Sequence, residues 1–289
     1  YKVNMNIPII DLHCHSNVSD GLLSPAELMS HAAENNVQAI ALTDHDDIAG
    51  LSEASITAKS LNIIFINGVE ISVTWKKRTL HIVGLNFDKD NKLLFQGLKK
   101  IRDGRYKRAQ LMADGLGMAG IQGAMDGAKS YAKNSTIGRI HFAQFLVAQG
   151  YAKDISAVFK KFLTPGKPGY VDHEWISLEE SIRLINGAGG DAIIAHPGRY
   201  DMGNKLYPKL FQEFKDLGGT GVEVMSGSQD PSQANYFSKL AANYNLFSSC
   251  GSDFHGKGIS HRALGNVRSL PNDSIPIWTK WDQIKKLFH

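Results

Sequence analysis

The chain has 289 residues, of which 43% are apolar and 21% are charged, so its composition is that of a globular protein rather than a disordered one. The formal net charge of +4 is too small to predict general attraction to nucleic acid, so any affinity for anions must be local. Two cysteines form no disulfide framework, and the sequence contains neither a recognisable signal peptide nor a run long enough to span a membrane. We therefore expect a cytoplasmic protein without membrane contact or an obligate protein partner.

Apolar runs alternate with helical patterns from the beginning of the chain. The first strands are predicted at residues 7–12, 37–43 and 63–68. Helices are predicted from about Pro25 and Ile48, and the first has Ser24 as N-cap and Glu27 as the acid of a capping box. This alternation favours a parallel sheet or barrel covered by helices.

The alternation stops between residues 91 and 166, where helical periodicity continues without a convincing strand. We predict that 91–166 is a helical insertion and that 1–90 and 167–289 form the main domain. A basic run at 99–108 is typical of a solvated helix face, and the alternative is the wall of a channel for a polyanion. After the Pro- and Gly-rich segment 164–169, strands are predicted again at residues 191–195, 221–225 and 247–250.

Seven of the eleven histidines stand in short clusters with acidic or basic residues, and most clusters follow a predicted strand. The histidines are His13, His15, His45, His81, His141, His196 and His255. Imidazole nitrogens and carboxylate oxygens are ligands that Zn²⁺, Mn²⁺ and Fe²⁺ prefer. Strand ends that meet at one rim would therefore form a multi-metal hydrolase site.

Residues two apart on a strand point to the same face, so His13 and His15 can bind one ion while Cys14 faces away. The pair alone could equally be structural. Asp253 and His255 repeat the spacing after the last predicted strand, and they are the strongest partners for the first pair.

The segment Thr43-Asp44-His45-Asp46 ends an apolar strand, and His45 is its best candidate ligand. Alternatively, Asp46 or Asp47 caps the following helix. Glu70 is predicted at the exit of the third strand, where its carboxylate can bridge two ions or pair with a basic neighbour.

His81 and His196 each lie on an apolar strand, where a lone histidine is more often a core residue. Pro197 stops a continuing strand ladder, so it favours a position at the strand end for His196.

These motifs, in this order, resemble those of the polymerase and histidinol phosphatase (PHP) superfamily, and most closely its stand-alone bacterial phosphoesterases that act on nucleotides. The matching segments are Asp11-Leu-His13-Cys-His15, Asp20-Gly, Thr43-Asp44-His45-Asp46, Gly68-Val-Glu70, His81-Ile-Val-Gly, Arg139-Ile-His141, Ala195-His196-Pro197-Gly198-Arg199-Tyr200 and Gly251-Ser-Asp253-Phe-His255. The resemblance implies an α/β fold, a distorted (β/α)7 TIM-like barrel with a small helical insertion that caps the substrate.

The resemblance also implies three metal positions. The first would be held by His13, His15, Glu70 and Asp253, the second by Glu70, His81 and His196, and the third by Asp20, His45 and His255. The local sequence around Asp20, taken alone, predicts only a turn. We expect two to three divalent ions, with Mn²⁺ favoured over Zn²⁺ or Fe²⁺ because the ligands mix carboxylates with imidazoles and include no thiolate.

Arg139 and His141 lie in the insertion, and the resemblance implies that they fold over the metals and hold the substrate phosphate. Arginine suits this role because its planar fork donates two hydrogen bonds; the alternative is a local salt bridge. Arg199 is a second candidate for the phosphate. Trp75 and Tyr200 are candidates for stacking on a base, with packing as the alternative. Asp44, Asp46 or His141 can supply a proton to the leaving group.

We therefore predict a metal-dependent phosphoesterase that uses metal-activated water. Its expected substrates are the 3′-phosphate of nucleoside 3′,5′-bisphosphates and short 5′-phosphorylated RNA, degraded from the 5′ end. The alternatives are a phosphatase for histidinol phosphate or another small molecule, and an inactive metal-binding module. The other histidines match no motif and are expected at the surface or in packing: His31, His173, His261 and His289.

Overall fold

The computed structural model describes residues 7–132, 136–200, 202–203, 205–227 and 229–288. The strands are β1 Ile9–Asp11, β2 Val37–Leu42, β3 Ile64–Trp75, β4 Arg78–Leu85, β5 Ile176–Ser177, β6 Asp191–Ile194, β7 Gly221–Met225 and β8 Phe247–Cys250. The helices are α1 Pro25–Glu34, α2 Leu51–Ser60, α3 Lys92–Met118, α4 Ala124–Ala132, α5 Arg139–Ala148, α6 Ile155–Val158, α7 Leu178–Gly187, α8 Leu206–Asp216, α9 Pro231–Asn243 and α10 Asp282–Lys285. All of the predicted strands are present, and α1 begins at Pro25 with the predicted capping box of Ser24 and Glu27.

One mixed sheet has the strand order β1-β2-β3-β4-β6-β7-β8, and the short β5 pairs with β3. The path from β1 to β8 does not close, so the predicted closed barrel is not confirmed. Hydrogen bonds nevertheless connect the segments that follow the two edge strands: the Leu12 amide donates to the Cys250 carbonyl at 3.0 Å, and the Asp253 amide donates to the His13 carbonyl at 2.8 Å. The metal-binding motifs at the two ends of the chain therefore lie side by side.

The third and fourth strands differ from the prediction. β3 continues seven residues beyond the predicted end at Gly68 and forms a hairpin with β4, which runs antiparallel to both β3 and β6. Lys76 and Lys77 have positive φ values of 47° and 62°, as the central residues of a type I′ turn do. This turn usually contains Asn-Gly or Gly-Gly, so two lysines give no sequence signal for it.

The region predicted as an insertion is helical and has its own apolar core. Leu116, Phe142, Leu146 and Leu163 are fully buried in this core. The long helix α3 joins it to the main core, because the first half of α3 belongs to the main apolar cluster and packs with α7, and the second half belongs to the cluster of the insertion. Residues at the start of α5 are thereby held next to the sheet. The exact division at 91–166 remains a prediction.

A C-terminal segment covers the inner face of the sheet. Ile277, Trp281 and Ile284 pack in one apolar cluster with residues of β1, β2, β3, β4 and β6. The Trp281 indole donates to Asp191 Oδ2 at 2.8 Å, and Lys280 pairs with the other oxygen of that carboxylate. Among the residues that the structure describes, none of the helices is both long enough and apolar enough to span a membrane.

Candidate metal centre and adjoining cavity

The predicted ligands come together at one edge of the sheet. Three sets of His, Asp and Glu side chains have ligand atoms within 4.8 Å of one another: His13, His15, Glu70 and Asp253; His45, Glu70 and His81; and His15, Asp20, His45 and His255. His196 joins them because its Nε2 lies 2.8 Å from Glu70 Oε1. We call these residues the metal-ligand rim. His81 reaches the rim from the beginning of β4 because this strand is antiparallel to its neighbours.

Glu70 is the central member of the rim. Its Oε2 lies 3.1 to 3.3 Å from three ring nitrogens, those of His13 Nε2, His15 Nε2 and His45 Nδ1. Its Oε1 lies 2.8 Å from both His81 Nδ1 and His196 Nε2. Each oxygen therefore faces a different set of imidazoles, which is the arrangement of a carboxylate that bridges two ions.

Two aspartates complete the rim. Asp253 Oδ1 lies 3.3 Å from His15 Nε2. Asp20 Oδ1 lies 3.3 Å from His255 Nε2, and its Oδ2 lies 3.7 Å from His45 Nε2. Asp20 is thus next to imidazoles, although its sequence context indicated only a turn.

Glycines allow the strands to approach closely enough to form the rim. A Cβ atom at Gly68 would lie 2.6 Å from the Leu42 carbonyl oxygen, and one at Gly251 would lie 2.2 Å from the His13 Cβ. Neither position can hold a side chain without moving the neighbouring strand. Glu70 follows two residues after the first of these glycines.

Buried acids outside the ligand set hold the loops in place. Asp11 accepts hydrogen bonds from the amides of Ser252 and Gly265 at 2.8 and 2.9 Å. Asp44 accepts from the Ser16 amide at 2.8 Å and from its hydroxyl at 2.6 Å. Asp11 precedes His13 in the sequence, and Asp44 precedes His45. The hydrogen bonds of these two acids hold the backbone from which the candidate ligands project.

The electrostatics of the rim favour charged carboxylates. Burial raises the pKa of Glu70, but His45, His81 and His13 lower it well below the usual range. Burial also raises the pKa of Asp253, and His13 and His15 lower it well below its ordinary value. These acids therefore stay ionised in a buried place.

The donors of the rim fit divalent metal ions. Buried ring nitrogens without a hydrogen-bond partner among the described residues include His15 Nδ1 and His196 Nδ1. Five imidazoles contact the Glu70 carboxylate, and two aspartates add further oxygen ligands. This mixed set of N and O ligands suits Mn²⁺, Zn²⁺ or Fe²⁺. The Cys14 thiol points away and donates to the Ala41 carbonyl at 3.1 Å, as predicted.

A cavity of about 200 Å³ opens beside the rim. Asp20, His45 and His81 line one side of it, and three arginines of the insertion line the other. The arginines are Arg105, Arg108 and Arg139, and we call them the arginine wall. A second cavity of about 450 Å³ also has Arg105 in its lining.

The arginine wall is held by aromatic and polar neighbours. Arg105 donates to Asp46 Oδ2 at 2.5 Å and to Ser72 Oγ at 2.7 Å. The guanidinium carbons of Arg105 and Arg108 lie 4.8 and 5.5 Å from the ring centre of Trp175. This indole therefore supports two of the three cations through cation–π contact.

Comparisons with known proteins agree with this geometry. The PHP domain family matches residues 11–226. The chain belongs to the PHP domain family. It is 49% identical over 270 residues to a 3′,5′-nucleoside bisphosphate phosphatase of Chromobacterium violaceum, covering 93% of this chain and 95% of the relative. It is 43% identical over 271 residues to a 5′-3′ exoribonuclease of Haemophilus influenzae, covering 94% of this chain and 98% of the relative.

A solved structure is also similar to this PHP domain. It is an amidohydrolase from Chromobacterium violaceum with bound sulfate and no metal, with a TM-score of 0.90 and 48% sequence identity. The match covers 94% of this chain and 95% of the other. The resemblance identified from the motifs is thereby confirmed.

The predicted substrate residues lie at different distances from the cavity of the PHP domain. Arg139 lines it. His141 is buried, its Nδ1 accepts from the Gly138 amide at 3.0 Å, and Asp20 is close enough to influence its pKa. Asp46 is fully buried, and its Oδ1 accepts from the Ser72 amide while Arg105 holds the other oxygen.

Three further predicted residues have other partners. Trp75 is buried, donates to Glu213 Oε2 at 2.9 Å and does not line the cavity, so its position gives no support to base stacking. The Tyr200 hydroxyl accepts from the His81 amide at 2.8 Å, so this ring braces a ligand. Arg199 forms an ion pair with Asp253.

Sequence reasoning did not single out several residues that line the cavity, among them Arg105, Arg108, Tyr170, His173 and Trp175. The arginines belonged to a basic run that was open to two interpretations. His173 was expected to be a surface or packing residue, yet it lies against Trp175 with ring centres 4.3 Å apart. No motif marked Trp175. His289 lies outside the described residues.

Proposed function

We propose that this PHP domain is a metal-dependent phosphoesterase acting on nucleotides that bear a second phosphate. Its substrates would be nucleoside 3′,5′-bisphosphates, from which it releases the 3′-phosphate, and short 5′-phosphorylated RNA, which it degrades from the 5′ end. The observation that carries this proposal is the single cavity bounded on one side by the metal-ligand rim and on the other by the arginine wall. The names of the two curated relatives support the same two activities.

The metal-ligand rim would hold two to three divalent ions, with Mn²⁺ as the first candidate. We assign Glu70 as the bridging ligand because each of its oxygens faces its own set of imidazoles. Bound ions would activate a water molecule and neutralise charge on the phosphoryl oxygens. His13, His15 and Asp253 would form the most enclosed position, since all of them are buried.

The arginine wall is suited to an anion because its own charges repel one another. Burial, followed by the charges of Arg139 and Arg105, lowers the pKa of Arg108 to about 10. Burial and Arg105 also lower the pKa of Arg139. Neither Arg108 nor Arg139 has a carboxylate within 4.0 Å among the described residues, and the Arg108 Nε is buried without a partner. A phosphate placed here would relieve the repulsion and accept several hydrogen bonds.

The metal-ligand rim and the arginine wall would then bind different phosphates of the substrate. The phosphate to be cleaved would lie at the rim, and the other phosphate of the same nucleotide would lie at the wall. Because cleavage requires the first phosphate to sit correctly, binding energy at the wall can be used to orient the reacting group. This arrangement would allow one site to accept both a bisphosphate and an RNA with a 5′-phosphate.

His141 is a further candidate to contact the reacting phosphate from the insertion, since it is buried directly behind the cavity-lining residues Gly138, Arg139 and Ile140. Because its Nδ1 accepts a hydrogen bond from the Gly138 amide, the proton of the neutral ring is on Nε2. Burial lowers the pKa of His141, Asp20 raises it and Arg105 lowers it, and the net direction is downward. A neutral His141 would thus donate one hydrogen bond from Nε2 to a phosphate or leaving-group oxygen.

Asp44 and Asp46 fit a supporting role better than proton donation. Asp44 accepts hydrogen bonds on both oxygens from Ser16 and Ser19, and Asp46 is held by Ser72 and Arg105. Neutral His141 would therefore donate a hydrogen bond to the leaving-group oxygen, and we assign proton donation to neither aspartate. Arg199 would act mainly by holding Asp253, with which it is paired.

A single set of assays distinguishes the candidate substrates. The protein with Mn²⁺ is incubated with adenosine 3′,5′-bisphosphate, adenosine 3′-monophosphate, histidinol phosphate, and RNA pentamers bearing either a 5′-phosphate or a 5′-hydroxyl. We expect release of phosphate from the bisphosphate and of 5′-mononucleotides from the phosphorylated RNA, with much slower reaction of the other three.

The same assays can also contradict the proposed function. Preferred hydrolysis of histidinol phosphate would support the alternative phosphatase and reject the role of the arginine wall. No hydrolysis of any substrate, by a protein that retains Mn²⁺, would support an inactive metal-binding module. Either result would overturn the proposal.

A further inference from the structure

A buried carboxylate on β7 contacts two of the proposed metal ligands without belonging to any of the three ligand groups. Glu223 is 2% exposed. Its Oε2 lies 3.1 Å from His13 Nδ1 and accepts a hydrogen bond from the His196 amide at 2.8 Å. The same oxygen therefore contacts the ring of one ligand and the backbone of another.

We propose that Glu223 is a positioning residue that fixes the tautomer of His13 and the backbone of His196. This inference rests on the metal ligation proposed above. When a metal is bound at His13 Nε2, the one remaining ring proton is on Nδ1, where Glu223 Oε2 is placed to accept it as a hydrogen bond. That Nε2 atom lies 3.3 Å from Glu70 and 3.4 Å from Asp253, on the side where the metal would bind.

A carboxylate behind a metal-binding histidine has a known physical effect. It holds the ring in one orientation, selects the tautomer and makes the coordinating nitrogen more basic. The contact from Glu223 to His13 spans 210 residues of sequence, so it depends on β7 lying beside the segment that follows β1. No ligand motif includes this glutamate.

The contact with His196 stabilises a strained backbone. His196 has φ 26° and ψ 56°, a region that residues other than glycine rarely adopt. The following residue is Pro197, which has no amide hydrogen, so the His196 amide is the last donor available at this strand end. Its bond to Glu223 holds the backbone in the conformation from which the imidazole reaches Glu70.

The test compares Mn²⁺ affinity in Glu223→Ala, Glu223→Gln and the control Asp191→Asn, each measured by competition with a fluorescent chelator. Asp191 is also a buried acid at a strand, but it pairs with Lys280 and Trp281. We expect Glu223→Ala to weaken binding by about 10- to 100-fold. Glu223→Gln should weaken it less, since an amide oxygen can still accept both bonds. Asp191→Asn should bind as the wild type does.

A second measurement separates positioning from general loss of structure. Long-range ¹H–¹⁵N spectra of the protein loaded with diamagnetic Zn²⁺ report which ring nitrogen of His13 carries the proton and which binds the metal. We expect the Nδ1–H form in the wild type and in Glu223→Gln, and a mixture of forms in Glu223→Ala. If Glu223→Ala does not fold, the proposal is tested with Glu223→Gln alone. Reduced Mn²⁺ affinity of folded Glu223→Gln, together with an Nδ1–H signal of His13, would then support the positioning role.

The outcomes are distinct. Wild-type affinity in both Glu223 variants, or an unchanged His13 tautomer in folded Glu223→Ala, would overturn the role of Glu223 alone. A wild-type protein that binds no Mn²⁺ would overturn both this role and the metal ligation proposed above. Hydrolysis assays are not needed for either conclusion.

Discussion

The metal-ligand rim and the arginine wall face each other across one cavity, yet their charges are balanced differently. In the rim, imidazoles surround Glu70, Asp20 and Asp253, and every carboxylate has partners within the chain. In the wall, Arg105 has Asp46, whereas the part of the chain that the structure describes provides no acid for Arg108 or Arg139. On the function proposed above, the chain itself would assemble the cation site and leave the anion site to be completed by the substrate.

The largest effect is expected from removing a carboxylate or imidazole of the rim. Asp253→Ala and His13→Ala should reduce hydrolysis of adenosine 3′,5′-bisphosphate below detection, because each residue would be a ligand at the most enclosed metal position. Metal content by mass spectrometry should fall in parallel. Asp191→Asn, a buried acid remote from the rim, serves as control. Undiminished turnover in either rim variant would refute the assignment of that residue.

A change of pH should act on the rim next most strongly. Burial lowers the pKa of His15, but Asp253 and Glu70 raise it to about 10, so the metal-free protein holds this proton at pH 7. Metal binding must displace the proton, and Mn²⁺ affinity should rise between pH 6 and 9 by about tenfold per pH unit for each proton released. Calorimetry in buffers of different ionisation enthalpy counts these protons. Affinity that is independent of pH would contradict the prediction.

The same proton affects the stability of the metal-free protein. Because the folded-state pKa of His15 is raised above 6.5, its stabilising contribution is complete below pH 6.5 and is lost as pH rises toward about 10. Thermal melting of metal-free protein should show a declining midpoint over this window, and Mn²⁺ should oppose the decline.

Removing one charge from the wall should have a smaller and more selective effect. Arg108→Met is expected to lower kcat/KM for adenosine 3′,5′-bisphosphate by about 10- to 100-fold, because a hydrogen bond to a charged group contributes about 1.5–3 kcal/mol. Activity on adenosine 3′-monophosphate should change little. Lys107→Met is the matched control, since Lys107 is the adjacent residue on α3 and is exposed. Equal losses on both substrates would mean that Arg108 does not recognise the second phosphate.

The smallest effect concerns stability rather than turnover. Phosphate bound at the wall should raise the thermal midpoint, since a ligand at one hundred times its Kd stabilises by about 2.7 kcal/mol. Arg108→Met should lose most of this increase without lowering the midpoint of the phosphate-free protein, because a repulsive charge has been removed. A lower midpoint in the absence of phosphate would show that Arg108 is mainly structural.

The sequence predicted the rim better than the wall for a physical reason. Ligands such as His13, His15 and Asp253 stand beside strand ends in short motifs, and the parallel sheet brings those ends together. Arg105 and Arg108 lie in a basic helical run, where periodicity does not identify the face that lines the cavity. Trp175 follows a loop without any pattern.

Other features that the sequence did not predict also have local explanations. Glu223 stands inside Gly221–Met225, which was correctly predicted as a strand, and its only signal was a charge in an otherwise apolar run. The β3–β4 hairpin was missed because its turn lacks glycine and asparagine, so the antiparallel direction of β4 was not expected. Closure of the sheet into a barrel depends on long-range pairing between the chain ends, which no local pattern reports.

The C-terminal segment has a consequence for how this molecule is made. Ile277, Trp281 and Ile284 cover the inner face of the sheet, and all three are translated after the eight strands. A nascent chain that has already emerged as far as β8 therefore exposes apolar residues such as Ile10 and Ile193 to the cytosol or to chaperones. Transient exposure of this kind promotes aggregation, so the speed with which the ribosome adds these last residues should influence the yield of folded protein.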